Sequence, residues 1–263
     1  MYDLVRLLHD KQFVTYQKEG INIAQVSTMY DGFRTARELL HEIVDKTTVL
    51  YLSGGRTPKG LYENLARDKK ILPGAVALVD ERYGQKSHNT SNEKMVNESG
   101  LVPYLKENGI PFYPVLQEKQ LGLKETSDNY DMTIRYLFAG FPKSVGTFGI
   151  GLDGHTAGIA GNRDGTASMA SGESFHNSMF DDDQKSMLVS SFSDLKGTFK
   201  ERISMTFLGL SMIEIFIVLV FGEDKKEGLL KVFADGSEEE VPARFFRRPE
   251  IARRTLLITD LKV

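Results

Sequence analysis

The 263-residue chain contains no cysteine. That excludes disulfides, thiolate nucleophiles, Cys-ligated zinc and iron–sulfur clusters together. It leaves the redox compartment open. Neither sign of charge is in excess: 33 Lys+Arg stand against 36 Asp+Glu, a net charge of −3. A balanced, slightly acidic chain is poorly suited to gripping a nucleic-acid backbone, so no nucleic-acid partner is expected. Long apolar runs are also missing. The longest, from Ile215 to Phe221, falls far short of the ~20 residues that cross a bilayer. The first ten residues carry no basic stretch leading into an apolar one, so no secretory signal is read there. The expectation is a cytoplasmic protein without a membrane partner. No Pro/Gly/Ser-rich linker, internal repeat or low-complexity tract divides the chain, which predicts a single domain over residues 1–263.

What is present is an alternation of strands and helices. Five continuous apolar runs, at residues 48–52, 75–79, 147–151, 215–221 and 255–259, read as strands covered on both faces. Between them, Phe33, Ala36, Leu39, Leu40 and Ile43 mark one helix face, with Asp31 as its N-cap. Thr57-Pro58 reads as an N-cap followed by proline at the first helical position, with Leu61, Tyr62 and Leu65 turned inward. Thr90 to Glu93 fits a capping box, and Tyr130, Ile134, Leu137 and Phe138 form another stripe. The fold class is α/β: a single-domain, open, mostly parallel sheet with helices on both faces, Rossmann-like. The polar stretch from Gly158 to Asp183 reads as a long loop over a site. Its Asp181-Asp182-Asp183 triplet reads as a solvated tip rather than a metal site.

In such sheets ligands bind beyond the carboxyl ends of the strands, so the residues just after each strand are informative. Ser53-Gly54-Gly55-Arg56-Thr57 follows the first run. Its glycines let backbone N–H groups turn toward an anion, the next helix offers its positive N-terminus, and Arg56 and Thr57 add donors. The alternative is a tight turn that needs glycine for geometry alone. It is not a P-loop, because Leu61-Tyr62 stand where Lys and Ser/Thr are required. Asp80-Glu81-Arg82 ends the second run, where three charges are costly unless they face a cleft. Arg82 either binds a substrate oxygen or pairs with Asp80 or Glu81. Gly149 to Gly154 matches G-x-G-x-x-G, yet no helix with an apolar stripe and no second strand follow, so a dinucleotide site is rejected. Asp153-Gly154-His155 is the candidate catalytic group: a histidine beside a carboxylate can act as a general base near neutral pH. No two-histidine motif supports a metal there. Arg202 either lies on the surface or complements the glycine loop in an anion site.

Taken in order, these stretches resemble the 6-phosphogluconolactonase family, which shares its fold with the glucosamine-6-phosphate deaminases. The matching pieces are Ser53 to Pro58 with Leu61-Tyr62, Asp80 to Arg82 with His88 and Ser91-Asn92, and Gly149 to Ala157. Arg202 to Thr206, Gly222 with Lys225 or Lys226, and Pro242-Ala243 complete the series. The resemblance implies hydrolysis of 6-phosphoglucono-δ-lactone to 6-phosphogluconate in the pentose phosphate pathway, without metal or organic cofactor. It implies that Gly54, Gly55, Arg56, Thr57 and Arg202 hold the phosphate and that His155 activates water. Asp153 would orient His155, and Arg82 would lie near the developing oxyanion. Two alternatives are a glucosamine-6-phosphate deaminase/isomerase and a non-catalytic sugar-phosphate-binding protein. Against the first, the deaminases carry a glutamate five residues past the histidine, where this chain has Ala160.

Overall fold

The computed structural model describes residues 4–10, 13–161, 186–193 and 200–263. Most of the loop expected from Gly158 to Asp183, with its aspartate triplet, lies outside the described residues. The main sheet contains β1 (Tyr16–Lys18), β2 (Ile21–Gln25), β3 (Thr48–Leu52), β4 (Ala75–Leu78), β6 (Phe112–Tyr113), β7 (Lys143–Gly149), β10 (Ile215–Val220) and β11 (Thr255–Thr259). Their order across the sheet is β1-β2-β11-β10-β7-β3-β4-β6. Every neighbouring pair is parallel except the edge hairpin β1–β2. A second, antiparallel sheet has the order β5-β9-β8, from β5 (Asp80–Arg82), β9 (Glu201–Met205) and β8 (Val189–Ser193).

Both faces of the main sheet are covered. Consecutive strand residues point to opposite faces. On β7, Thr147 Oγ1 meets the Tyr62 hydroxyl of the helix Arg56–Asp68 at 2.9 Å. Its neighbour Phe148 packs on Phe246 of the 3₁₀ segment Pro242–Arg247, with ring centroids 5.6 Å apart. On β3, Tyr51 packs on Phe138 of the helix Leu123–Gly140. Tyr51, Tyr62, Tyr130, Phe148, Phe216, Phe245 and Phe246 are fully buried and form the thickest part of the core. The buried hydroxyls of Tyr62 and Tyr130 have hydrogen-bond partners. Tyr130 finds them at the end of β4: its hydroxyl accepts from Leu78 N at 2.9 Å and donates to Leu78 O at 2.6 Å. Those bonds satisfy the strand where the chain leaves the main sheet to begin β5.

Several boundaries differ from the sequence reading. The helix Met29–Ile43 is capped by Thr28, whose Oγ1 accepts from Asp31 N at 3.1 Å. Asp31 therefore lies in the first turn, where its charge meets the positive helix end. The helix Arg56–Asp68 is entered from Gly55 at φ 111°, so Thr57 is inside the first turn and Pro58 is the third helical residue. Pro58 is tolerated there because first-turn N–H groups have no intrahelical partner to lose. Ser91, not Thr90, caps the helix Asn92–Glu98 by accepting from Lys94 N. β7 begins at Lys143, four residues before the expected start, because the polar Lys143-Ser144 pair masks its first turns of extended chain.

Candidate active site

β3 and β7 are parallel neighbours whose chains depart in opposite directions, one toward β4 and the other toward β10. Their carboxyl ends therefore open a crevice at a topological switch point. The candidate residues come together along this edge.

The segment after β7 is a sequence of tight turns. Gly154 N donates to Gly151 O at 3.0 Å and Gly151 N to His155 O at 2.8 Å. Thr156 Oγ1 ties the segment back to the strand through Gly149 O. These bonds place the His155 ring on Gly151, where a Cβ would stand 2.0 Å from Nδ1. Only glycine leaves that space. His155 Nδ1 lies 2.6 Å from Asp153 Oδ1, and the same oxygen accepts from His155 N at 3.2 Å. The hydrogen bond from the His155 side chain holds the Asp153 carboxyl well below the usual carboxylate range, against an opposing contribution from burial. With Asp153 ionised, Nδ1 carries the proton and Nε2 presents its lone pair, as a general base requires. The turn continues through Ala157 at φ 52° and Gly158 at φ 69°. Its carbonyls are held by β9: Ser204 Oγ donates to Ala157 O at 2.5 Å and Arg202 Nη1 to Gly158 O at 2.8 Å.

The loop after β3 is fixed from below. Tyr62 donates to Ser53 O at 2.8 Å. Gly54 presses on the carboxamide of Asn92, where a Cβ would stand 2.0 Å from Oδ1. Asn92 is fully buried and donates to Asp80 O and to Asp80 Oδ2, at 2.8 and 3.0 Å. Gly55 and Arg56 are exposed and Thr57 is half-buried at the start of a 13-residue helix. Backbone N–H groups and side chains there suit an oxyanion.

Asp80-Glu81-Arg82 does not form a charged loop after the second strand; it is a strand of the small sheet. Glu81 is fully buried and faces the helix Asn92–Glu98, not a cleft. Its carboxylate accepts from Arg82 N, Ser91 Oγ, Asn92 N and Glu93 N, at 2.7–2.9 Å. It therefore satisfies donors that the first turn leaves without helical partners. Burial pushes its carboxyl up, and the four donors pull the other way. The register β5–β9 sets Arg82 directly opposite Arg202. Side chains of opposed residues share one face, so the two guanidinium groups stem from the same side of the small sheet. Sequence reasoning proposed both arginines but could not pair them. It also missed Gly151, Asn92 and Ser204, whose signals were a glycine pattern read only for dinucleotides, a capping motif and a strand residue. Among the described residues, no cluster of three or more His, Asp or Glu could hold a metal ion. No described helix is long and apolar enough to cross a membrane.

An α/β protein with a His–Asp pair and a glycine-rich helix entry at the sheet's switch point has counterparts among known proteins. Residues 33–256 match the family model for glucosamine-6-phosphate isomerases/6-phosphogluconolactonase. The chain belongs to that family. The 6-phosphogluconolactonase of Thermotoga maritima is 27% identical over 240 residues, covering 86% of this chain and 90% of that one. The Rhizobium meliloti 6-phosphogluconolactonase is 26% identical over 204 residues, with 77% and 80% covered. The solved structure of 6-phosphogluconolactonase from Plasmodium vivax superposes with a TM-score of 0.71 at 20% identity, over 98% of this chain and 95% of that one. That likeness extends the fold to the N-terminal segment, which the family model does not reach.

Proposed function

We propose that the chain hydrolyses 6-phospho-D-glucono-1,5-lactone to 6-phosphogluconate, with His155 as the general base. One observation carries this reading: the Asp153-oriented imidazole of His155 stands beside a paired-arginine face and a glycine-rich helix entry on one crevice. His155 Nε2 takes a proton from water as its oxygen attacks the lactone carbonyl carbon. Asp153 stabilises the resulting imidazolium. Arg82 stabilises the oxyanion of the tetrahedral intermediate. Collapse breaks the bond to the ring oxygen, which takes the proton back from His155 and leaves as the sugar hydroxyl. The amides and side chains of Gly54 to Thr57, with Arg202, hold the phosphate. Arg202 Nη1 donates to Gly158 O, which fixes the guanidinium beside the turn after His155. No metal or organic cofactor has a role in this chemistry.

The deaminase alternative needs a proton passed to the sugar ring oxygen through a third group. Ala160 stands at the position where the resemblance calls for a glutamate, and a methyl group relays no proton. The test uses the purified protein with the lactone, following acid release, and in parallel with glucosamine 6-phosphate, following ammonia. The reading predicts turnover of the lactone well above its spontaneous hydrolysis and no ammonia. Ammonia release at a rate comparable to lactone turnover would overturn it.

A further inference from the structure

We infer that His88 is a positioning residue that holds Arg82 in place for the reaction; this rests on the lactonase reading above. The imidazole of His88 closes a ring of hydrogen bonds through Arg82. Its Nε2 lies 2.8 Å from Arg82 O. Its Nδ1 lies 3.3 Å from Thr90 N and 3.0 Å from Thr90 Oγ1. Arg82 Nη1 in turn donates to Thr90 O at 2.8 Å. Arg82 is thus held at its backbone by His88 and at its guanidinium by the residue that His88 holds.

The chemistry of the partners fixes the state of the ring. A carbonyl oxygen only accepts and a backbone N–H only donates. Nε2 therefore carries the hydrogen toward Arg82 O, and Nδ1 is bare toward Thr90 N. The surrounding turn is built around it. His88 N donates to Gln85 O and Ser91 N to His88 O. Gly84 lies against the ring, with a Cβ there standing 3.0 Å from Cδ2. Ser87 takes a left-handed conformation at φ 57°, which brings the chain round. The ring connects the last residue of β5 to the N-terminus of the helix Asn92–Glu98, whose first turn Glu81 caps.

The experiment reads Arg82 directly and through activity. Asparagine and glutamine at position 88 each keep half of the ring's bonding. Glutamine can place an amide N–H near Nε2, toward Arg82 O, and alanine keeps neither bond. In ¹⁵N-labelled protein, His88 should show the neutral Nε2–H tautomer. The Arg82 Nε–H should be ordered in the native protein and in His88→Gln, and mobile in His88→Ala. Lactone kcat/KM should fall about tenfold or more in His88→Ala and stay within about threefold in His88→Gln. In an Arg82→Ala background, His88→Ala should change kcat/KM by less than about twofold, because coupled residues are not additive. An Arg82 side chain equally ordered in His88→Ala overturns the proposal, as do losses that multiply in the double variant. If Arg82 loses order while hydrolysis is unchanged, the positioning stands and the catalytic reading of Arg82 fails. If His88→Ala does not fold, His88→Gln and His88→Asn decide: Arg82 ordered and active in His88→Gln but mobile, with activity lost, in His88→Asn supports the tie, and native-like order of Arg82 in His88→Asn overturns it.

Discussion

Gly151 has no side chain because the His155 imidazole occupies the space: a Cβ would stand 2.0 Å from Nδ1. Gly151→Ala should push the ring off its aspartate. Displacement of a catalytic group by about 1 Å costs on the order of a hundredfold in rate. We expect a kcat loss of that order with KM little changed, measured by steady-state kinetics on the lactone; a kcat within threefold of native would contradict it. Asp153 provides a second prediction. Its carboxyl is held below the usual range, chiefly by the hydrogen bond from His155. A depressed folded pKa adds stability that is present above the unfolded carboxylate pKa and lost as pH falls through the folded one. Urea unfolding of the native protein and Asp153→Asn should therefore differ by a constant amount above about pH 5, and the difference should narrow progressively as pH falls below about 4. A gap that widens on acidification would contradict this. At this scale, Asp153 and His155 were legible because polar residues directly after an apolar strand have few structural uses. Gly151 was visible only as part of a spacing pattern. His88 stood out only as part of the family resemblance, and its tie to Arg82 was not legible, since its partners are a strand carbonyl and a turn amide that sequence does not bring together.

β5 shows why charged strands escape a hydrophobic criterion. Asp80-Glu81-Arg82 carries three charges in three residues, yet its central side chain is wholly inside. Glu81 is there to take three donors at a helix N-terminus, with Arg82 N of its own strand as a fourth. Glu81→Ala removes the acceptor and leaves several buried N–H groups without partners, at about 1–3 kcal/mol each. We expect a loss of roughly 3 kcal/mol or more in urea unfolding; a loss under about 1 kcal/mol would refute the capping role. β9 alternates in the same way. Arg202 and Ser204, two residues apart and so on one face, both reach the turn after His155. The small sheet is thus the element that aligns the cationic face with the base. The β3 loop was legible as a strand-to-helix turn, but its entry shifted: Gly55 at φ 111° starts the helix before Thr57.

At the scale of the molecule, the five parallel strands β3, β4, β7, β10 and β11 were legible as unbroken apolar runs, and helices on both faces followed from them. Their order was not, because neighbours such as β7 and β3 are joined only by contacts remote in sequence. β2 was hidden by Asn22, a buried polar residue that bonds to Thr255 O across the sheet at 3.2 Å. β6 is two residues long, too short to carry a pattern. The small sheet, polar and antiparallel, was not read at all. The loops after β3 and β7 could still be placed at one edge, because a parallel sheet sends every strand's carboxyl end to the same side. The role proposed for this edge is to activate water through His155. The most direct measurement is lactone hydrolysis by native protein and His155→Asn, alongside binding of 6-phosphogluconate to both. Asparagine keeps a polar group of similar size but offers no basic nitrogen. We expect kcat to fall by about a hundredfold or more, with product affinity within a few-fold of native. A His155→Asn variant that hydrolyses the lactone at a near-native rate would contradict the account.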